Sequence, residues 1–140
     1  MSEFISVNHS NIDLLHKFIG NLGEAAISFR YFSKRGVEAI DNHLLTILYL
    51  ENNVPIGYGH LDKSDGEVWL GIAIIPSFQG KGIGNQIMDY LLKTAQSLSL
   101  KTIALTVDNS NINAIELYLK KGFVELQKFE KYTKYILNLE

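Results

Sequence analysis

The stretch QGKGIG, residues 79–84, decides the fold, because it joins an apolar run that ends at Pro76 to an amphipathic helical pattern. Glycine has no Cβ, so this backbone can take open φ values and bring its N–H groups close to an anion. The following helix adds its free N–H groups and the positive end of its dipole. The segment therefore predicts a diphosphate-binding turn between a strand and a helix.

The spacing of these glycines excludes two familiar nucleotide loops. A Walker-type loop ends in Gly-Lys-Ser/Thr, and Lys81-Gly82 provides no such ending. The dinucleotide pattern Gly-x-Gly-x-x-Gly also fails, because Gly80 and Gly82 are followed by Asn85 at the last position. On the residues alone, a turn whose glycines serve only tight geometry stays open as the alternative.

Hydrophobic periodicity on both sides of the turn predicts the other elements. The run from Val68 to Ile75 is apolar on both faces, which is typical of a central strand covered on both sides. Residues 82–99 carry apolar side chains at helical spacing. The other predicted strands are Phe4–Val7, Leu44–Leu50, Pro55–Leu61, Thr102–Val107, Phe123–Phe129 and Tyr132–Leu139. The other predicted helices begin at Ile12, cover Leu22–Ile40 with a break near Gly36, and cover Asn111–Lys121. This order predicts an α/β fold with a mixed sheet and helices on its faces.

Length and composition indicate one globular domain over residues 1–140. Hydrophobic residues make up 46% of the chain and charged residues 20%, which excludes a disordered or fibrous chain. The formal net charge of −2 does not favour a nucleic-acid partner. The absence of cysteine excludes thiolate nucleophiles and sulfur-ligated metal, and no His/Asp/Glu spacing indicates a metal site. The start of the chain does not resemble a signal peptide and no apolar stretch is long enough to cross a membrane, so we expect a cytoplasmic protein.

A second motif lies beyond the predicted strand over Thr102–Val107. It consists of Asn111, Ala114 and Tyr118, followed by Gly122-Phe123. Together with Gln79, Gly82 and Gly84, these residues resemble the two signatures of the GNAT superfamily of acyl-CoA-dependent N-acyltransferases, Gln/Arg-x-x-Gly-x-Gly/Ala and Asn-x-x-Ala-x-x-x-Tyr with a Gly-Phe ending. The resemblance implies a central, mostly antiparallel sheet of six to seven strands, with splayed fourth and fifth strands and about four helices.

The resemblance also implies acetyl-CoA as the acyl donor. Its pantetheine arm would pair with the exposed edge of the fourth strand, and its pyrophosphate would lie on the glycine-rich turn. Asn111 would face the cofactor with its amide. The residues implied in acetyl-CoA binding are Ile72, Ala73, Ile74, Gln79, Gly80, Lys81, Gly82, Ile83, Gly84, Asn85, Asn111 and Tyr118.

The predicted catalytic residues are Tyr118, Ile74 and His60, of which the resemblance implies the first two. The Tyr118 phenol would be the general acid for the leaving thiolate, since it can donate a proton or hydrogen bond to it. The N–H of Ile74 would donate to the acetyl oxygen as charge develops there. For the base, His60 is the first choice, because an unperturbed imidazole titrates near neutral pH. Asp62 and Glu67 are the other candidates.

The acceptor is predicted to be a small-molecule primary amine. In related proteins the first two helices and the following loop form the acceptor site, and here that region holds Phe29, Arg30 and Tyr31. Such a cluster suits a planar or anionic acceptor, for instance an amino sugar carried on a nucleotide diphosphate. A peptide or protein acceptor, and a non-catalytic acyl-CoA-binding module, are the alternatives. The sequence is compatible with a monomer or a homodimer.

Overall fold

The computed structural model describes all of residues 1–140 and contains one seven-stranded sheet in the order β1-β2-β3-β4-β5-β7-β6. All neighbouring strands are antiparallel except β4 and β5, which are parallel. The strands are β1 (Ser2–Ser6), β2 (His43–Glu51), β3 (Val54–Ser64), β4 (Glu67–Ile74), β5 (Thr102–Asp108), β6 (Val124–Lys128) and β7 (Tyr132–Asn138). The prediction of an α/β fold with a mostly antiparallel sheet is confirmed.

Three α-helices cover the sheet: α1 (Ile12–Gly20), α2 (Ile83–Ser97) and α3 (Ile112–Lys120). The apolar sides of α2 and α3 pack on one face of the sheet and form the larger core. Helix α1 and residues 22–42 cover the other face and form a second, smaller core. No helix combines the length and the apolar character needed to span a membrane.

Residues 22–42, which we call the strap, show the predicted break near Gly36 but differ from the prediction of a helical stretch over Leu22–Ile40. The strap contains three short 3₁₀ helices, Gly23–Ile27, Tyr31–Ser33 and Val37–Asn42. A regular helix cannot run through it because Gly23 has a φ of +54° and Gly36 has extended backbone. The aromatic rings between these breaks pack instead against Tyr58 and His60 of β3.

Helix α2 lies directly on β3 because two residues of this strand have no side chain. A Cβ added at Gly59 would lie 2.7 Å from Ile87 Cγ2 and 3.1 Å from Leu91 Cδ1, both on α2. These contacts are closer than a close-packed core tolerates. Glycine at this position therefore sets the distance between α2 and the sheet, and with it the position of the turn that precedes α2.

We expect Gly59→Ala to lower the free energy of unfolding by about 1–3 kcal/mol, because the new methyl group forces α2 away from the sheet. Urea denaturation followed by circular dichroism measures the change. Gly20→Ala, at the end of α1, is the matched control, since nothing lies within 4 Å of a Cβ there. Equal stability of the two variants would contradict this account of the packing.

Candidate active site

Strands β4 and β5 are paired at one position only, Trp69 with Ala104, and they separate beyond it. The N–H of Ile75 donates a hydrogen bond to the carbonyl of Ile56 on β3. Along an antiparallel pair, backbone groups point alternately towards and away from the partner strand. Counting back from Ile75, those of Ile74 and Ile72 therefore point away from β3. These groups face the gap between β4 and β5. Leu70 and Ala73 of β4 belong to the cores on opposite faces of the sheet, as predicted for a central strand. The other side chains of β4 are only partly buried, because the strand also lines the clefts described below.

The same alternation corrects one predicted binding residue. Ala73 lines the gap, but its backbone N–H points towards β3 and cannot donate to a ligand there. The carbonyl of Ile74 is reached by the Gln79 side chain, whose Nε2 donates to it at 3.1 Å. Gln79 therefore holds the glycine-rich turn against the end of β4. Of the backbone groups predicted on this edge, the N–H groups of Ile72 and Ile74 remain available.

The glycine-rich turn presents a row of unpaired donors. The backbone N–H groups of residues 80–85 donate to no backbone or side-chain acceptor in the protein. Gly82 caps α2 with a φ of +84° and without a side-chain hydrogen bond, and nothing lies within 4 Å of a Cβ built there. These donors converge with the positive end of the α2 dipole. The arrangement fits a pyrophosphate, as the sequence predicts.

Two adjoining clefts open at the gap between β4 and β5. The loop cleft has a volume of about 580 Å³ and extends along the glycine-rich turn. The strap cleft has a volume of about 800 Å³ and extends beneath residues 28–35. The residues that line both clefts, and so mark where they meet, are Ser28, Phe29, Ile72, Asn111 and Tyr118.

The predicted cofactor residues group around the loop cleft. It is lined by Ile72, Ala73, Ile74, Gln79, Gly80, Ile83, Gly84, Asn111 and Tyr118, while Lys81, Gly82 and Asn85 do not line it. Asn111 Oδ1 accepts from Ala114 N at 3.3 Å and caps α3. The Asn111 Nδ2 group is left as the part of this amide that can face a ligand.

Tyr118 presents its hydroxyl to the junction of the clefts. Its side chain packs beside Phe123, and only 9% of the residue is exposed. The hydroxyl makes no hydrogen bond within the protein. Because no buried polar side-chain atom lacks a partner, this hydroxyl must be accessible, and it faces the open space of the clefts. Burial raises the pKa of Tyr118 to about 12. The phenol is therefore a protonated donor at neutral pH.

His60 lies in the wall of the strap cleft and is only 3% exposed. Burial lowers its pKa well below the usual range, and His43 and Arg35 lower it further, so the ring is neutral. Its Nδ1 lies 2.6 Å from the hydroxyl of Tyr58, a wholly buried residue whose hydroxyl has no other partner. Tyr58 must donate this bond to avoid an unsatisfied buried donor, which places the imidazole hydrogen on Nε2. His60 thus offers the cleft a donor, and this hydrogen bonding does not support its predicted role as the base.

A hydrogen-bonded network links the strap to β2 and β3 at the edge of this cleft. Tyr31 Oη donates to Asp62 Oδ2 at 2.7 Å and lies 2.7 Å from Nε2 of His43. Because the single phenolic hydrogen goes to Asp62, His43 Nε2 must donate to Tyr31, and its Nδ1 then accepts from Thr46 at 2.7 Å. Burial lowers the pKa of His43 to about 4, an effect that Arg35 reinforces and Asp62 opposes. His43 is therefore neutral as well.

The three predicted acceptor residues, Phe29, Arg30 and Tyr31, all line the strap cleft. Arg30, however, makes two hydrogen bonds to Asp108 at the end of β5, at 3.0 and 3.2 Å. Its guanidinium is thus already paired with a carboxylate. Glu67, one of the two other candidates for the base, is bound by Lys134 at 2.8 Å.

Tyr31, His60 and Asp62 were predicted to belong to the site, but the hydrogen-bonded network that joins Tyr31 and Asp62 to His43 was not, although one signal was present. Tyr58, His60 and Asp62 alternate along β3, and alternate residues of a strand share one face. Three polar residues at such spacing on a buried strand indicate a polar stripe. Their partners Tyr31 and His43 come from distant segments, and no local pattern predicts that pairing.

Comparison with known proteins agrees with this geometry. The model of the Acetyltransferase (GNAT) family matches residues 13–123. A spermine/spermidine N(1)-acetyltransferase of Bacillus subtilis is 38% identical over 64 residues, which are 44% of this chain and 42% of that protein. A ribosomal protein bS18-alanine N-acetyltransferase of Haemophilus influenzae is 34% identical over 89 residues, 63% of this chain and 60% of that protein. The matches thus span less than two thirds of the length of these curated relatives.

A solved structure shows the same fold over nearly all of its length. It is the structure of a putative acetyltransferase from Salmonella typhimurium with its cofactor acetyl-CoA. The two chains are 18% identical and superpose with a TM-score of 0.78, and the match covers 100% of this chain and 95% of the other. The family match includes β4, the glycine-rich turn and Tyr118. On the fold, the separated strands and this match, the chain belongs to the acetyltransferase (GNAT) family.

Proposed function

We propose that residues 1–140 form one N-acetyltransferase domain, which transfers an acetyl group from acetyl-CoA to a primary amine of a small molecule. The observation that carries the proposal is the meeting of two clefts at Tyr118, one with unpaired backbone donors and one with polar side chains. Such an arrangement lets two ligands, one in each cleft, meet at Tyr118. Relatives that carry N-acetyltransferase names support an amine as the acceptor.

The loop cleft would hold acetyl-CoA. The N–H groups of residues 80–85 and the N-terminus of α2 would bind its pyrophosphate, and the free N–H groups of Ile72 and Ile74 would bind its arm. The structural relative solved with acetyl-CoA supports this choice of ligand. The ammonium group of Lys81 lies 5.2 Å from the centre of the Phe78 ring, so a positive charge also lies beside the glycine-rich turn.

When bound, acetyl-CoA supplies an acetyl thioester: the amine nitrogen forms the new C–N bond and loses one proton, the C–S bond breaks, and the sulfur leaves as a thiolate. Tyr118 would donate its hydrogen bond to the sulfur. Because its pKa of about 12 exceeds that of a thiol, about 8.5, the phenol stabilises a thiolate as a donor better than it protonates one outright. Ile74 N–H would donate to the acetyl oxygen.

The strap cleft would admit the acceptor, and solvent in its exposed mouth would take the released proton. The paired guanidinium of Arg30 does not support binding of a phosphate, so we do not extend the proposal to a nucleotide-linked amino sugar. Some peptide acetyltransferases have a glutamate at the position of Thr106 on β5, which lines the cleft here without a carboxylate. This departure favours a small acceptor over a peptide. A Tyr118 hydroxyl free of protein partners favours catalysis over a purely binding module.

We expect Tyr118→Phe to lower kcat about a hundredfold or more, since it removes the donor to the leaving sulfur and little else. Release of free thiol from acetyl-CoA over a panel of amines measures turnover. Calorimetry with CoA should give an affinity within about twofold of the wild type, because the ring and its packing remain.

Tyr49→Phe is the control for this variant, because Tyr49 is also buried but lines neither cleft. It should turn over at the wild-type rate. Wild-type kcat in Tyr118→Phe would remove the proposed role of this phenol, and an absence of thiol release from the wild type with every amine would refute the proposed function.

We expect Gly82→Ala to weaken CoA binding about fivefold to thirtyfold, because a side chain at a φ of +84° strains the turn by ~1–2 kcal/mol. Isothermal calorimetry measures the affinity. Gly66→Ala introduces the same kind of strain at a φ of +78° in the β3–β4 turn, away from the loop cleft. It should bind CoA normally, and a comparable loss in both variants would show that the effect is not local to the glycine-rich turn.

A further inference from the structure

Asp62 is a buried carboxylate in the strap cleft that no cation neutralises. The residue is 6% exposed, and none of the ion pairs in the protein includes it. Its hydrogen-bond partners are the neutral hydroxyls of Tyr31, at 2.7 Å, and Ser64, at 2.9 Å. Burial of a charge without a counter-charge is costly unless a ligand compensates for it. Asp62 also lines the cleft directly, so a ligand can reach it.

The surroundings of Asp62 keep its charge uncompensated. His43 is opposite Asp62 on β2 and His60 lines the same cleft, and burial keeps both imidazoles neutral at neutral pH. Arg35 also lines the cleft, but it lies 4.3 Å above the ring of Tyr31 and donates to the Tyr31 carbonyl at 3.0 Å. Arg30 is paired with Asp108 across the cleft. The cleft therefore offers one buried, hydrogen-bonded anion to whatever enters.

The strand register gives the separation, along the strand direction, between Asp62 and the junction of the two clefts. Ile72 of β4 lies where the two clefts meet and is opposite Gly59 on β3. Asp62 follows Gly59 by three residues, a distance of about 10 Å along a strand. An extended four-carbon diamine followed by one charge-assisted hydrogen bond of about 2.8 Å has a comparable length. The indole of Trp69, opposite Asp62 on β4, adds apolar surface beside this path.

We propose that Asp62 binds the second ammonium group of a diamine acceptor and so selects short diamines over monoamines. Tyr31 and Ser64 hold the two carboxylate oxygens in place, and the reacting amine at the other end of the chain reaches the junction at Tyr118. The inference rests on the proposed N-acetyltransferase function and adds the acceptor class and the residue that recognises it.

The first test uses the wild-type protein with two acceptors of equal chain length at neutral pH, 1,4-diaminobutane and butylamine. Both carry a reactive primary amine, and only the diamine carries the second cation. We expect kcat/KM to be at least about tenfold higher for the diamine, with most of the difference in KM, as one charge-assisted hydrogen bond would give. Equal values for the two amines would overturn the inference.

The second test replaces Asp62 by asparagine, which keeps the shape and removes the charge. Asp62→Asn should raise KM for 1,4-diaminobutane about tenfold to a hundredfold while changing kcat/KM for butylamine less than about threefold. Asp65→Asn is the matched control, because Asp65 lines the same cleft but is exposed and has no ion pair. It should leave both acceptors unchanged.

The outcomes separate this inference from the proposed function. An equal loss with both amines in Asp62→Asn, or an unchanged KM for the diamine, would overturn the role of Asp62 while the wild-type rate upholds acetyl transfer. If Asp62→Asn unfolds, Ser64→Ala serves instead, since it removes one donor from the carboxylate at a half-buried site. It should raise KM for the diamine about threefold to tenfold and leave butylamine unchanged, and an unchanged diamine KM would count against the inference.

Discussion

The functional arrangement depends on the incomplete pairing of β4 with β5. Parallel neighbours in a sheet normally exchange hydrogen bonds along their length, but here the pairing stops after Trp69 and Ala104. Beyond that point the N–H groups of Ile72 and Ile74 have no strand partner. Unpaired backbone groups need a partner or water, so a sheet that opens in this way prepares an edge for an extended ligand. The two clefts meet at this opening.

The packing of α2 keeps that opening in register with the glycine-rich turn. Gly59 lets Ile87 and Leu91 reach the backbone of β3, which fixes α2 against the sheet. Gln79 joins the turn to the Ile74 carbonyl at the end of β4. The row of N–H groups on the turn and the open edge of β4 are therefore held by the same rigid unit. A ligand that spans both meets donors that are already oriented, which reduces the cost of ordering them on binding.

The loop cleft could be predicted from the sequence to a much greater extent than the strap cleft. Backbone donors at Gly80 and Gly82 follow from local sequence, because a strand, a glycine-rich turn and a helix occur in succession. Two details could not be predicted in this way: that the backbone N–H of Ala73 points towards β3, and that most side chains of β4 are only partly buried. Both depend on pairing between strands, which the sequence of one strand does not contain. The strap was predicted as a helical stretch broken near Gly36; that break is present, but Gly23 with its positive φ and the short 3₁₀ helices replace the expected regular helix.

The two clefts differ in the groups that they offer a ligand: the loop cleft offers mainly backbone groups and the strap cleft mainly side chains. Acetyl-CoA would be bound largely by main-chain groups, whose positions tolerate many side chains as long as the turn and the strand edge persist. The acceptor would meet side chains such as Asp62 and Tyr31, which come together only through the fold and which single substitutions alter. The polar stripe of Tyr58, His60 and Asp62 on β3 is costly to change, because its members depend on hydrogen bonds to one another and to the strap. Tyr58 donates to His60, and Tyr31 of the strap donates to Asp62. Replacing one member would leave another unsatisfied, so a change of acceptor in this fold requires coordinated changes in the strap and in β3.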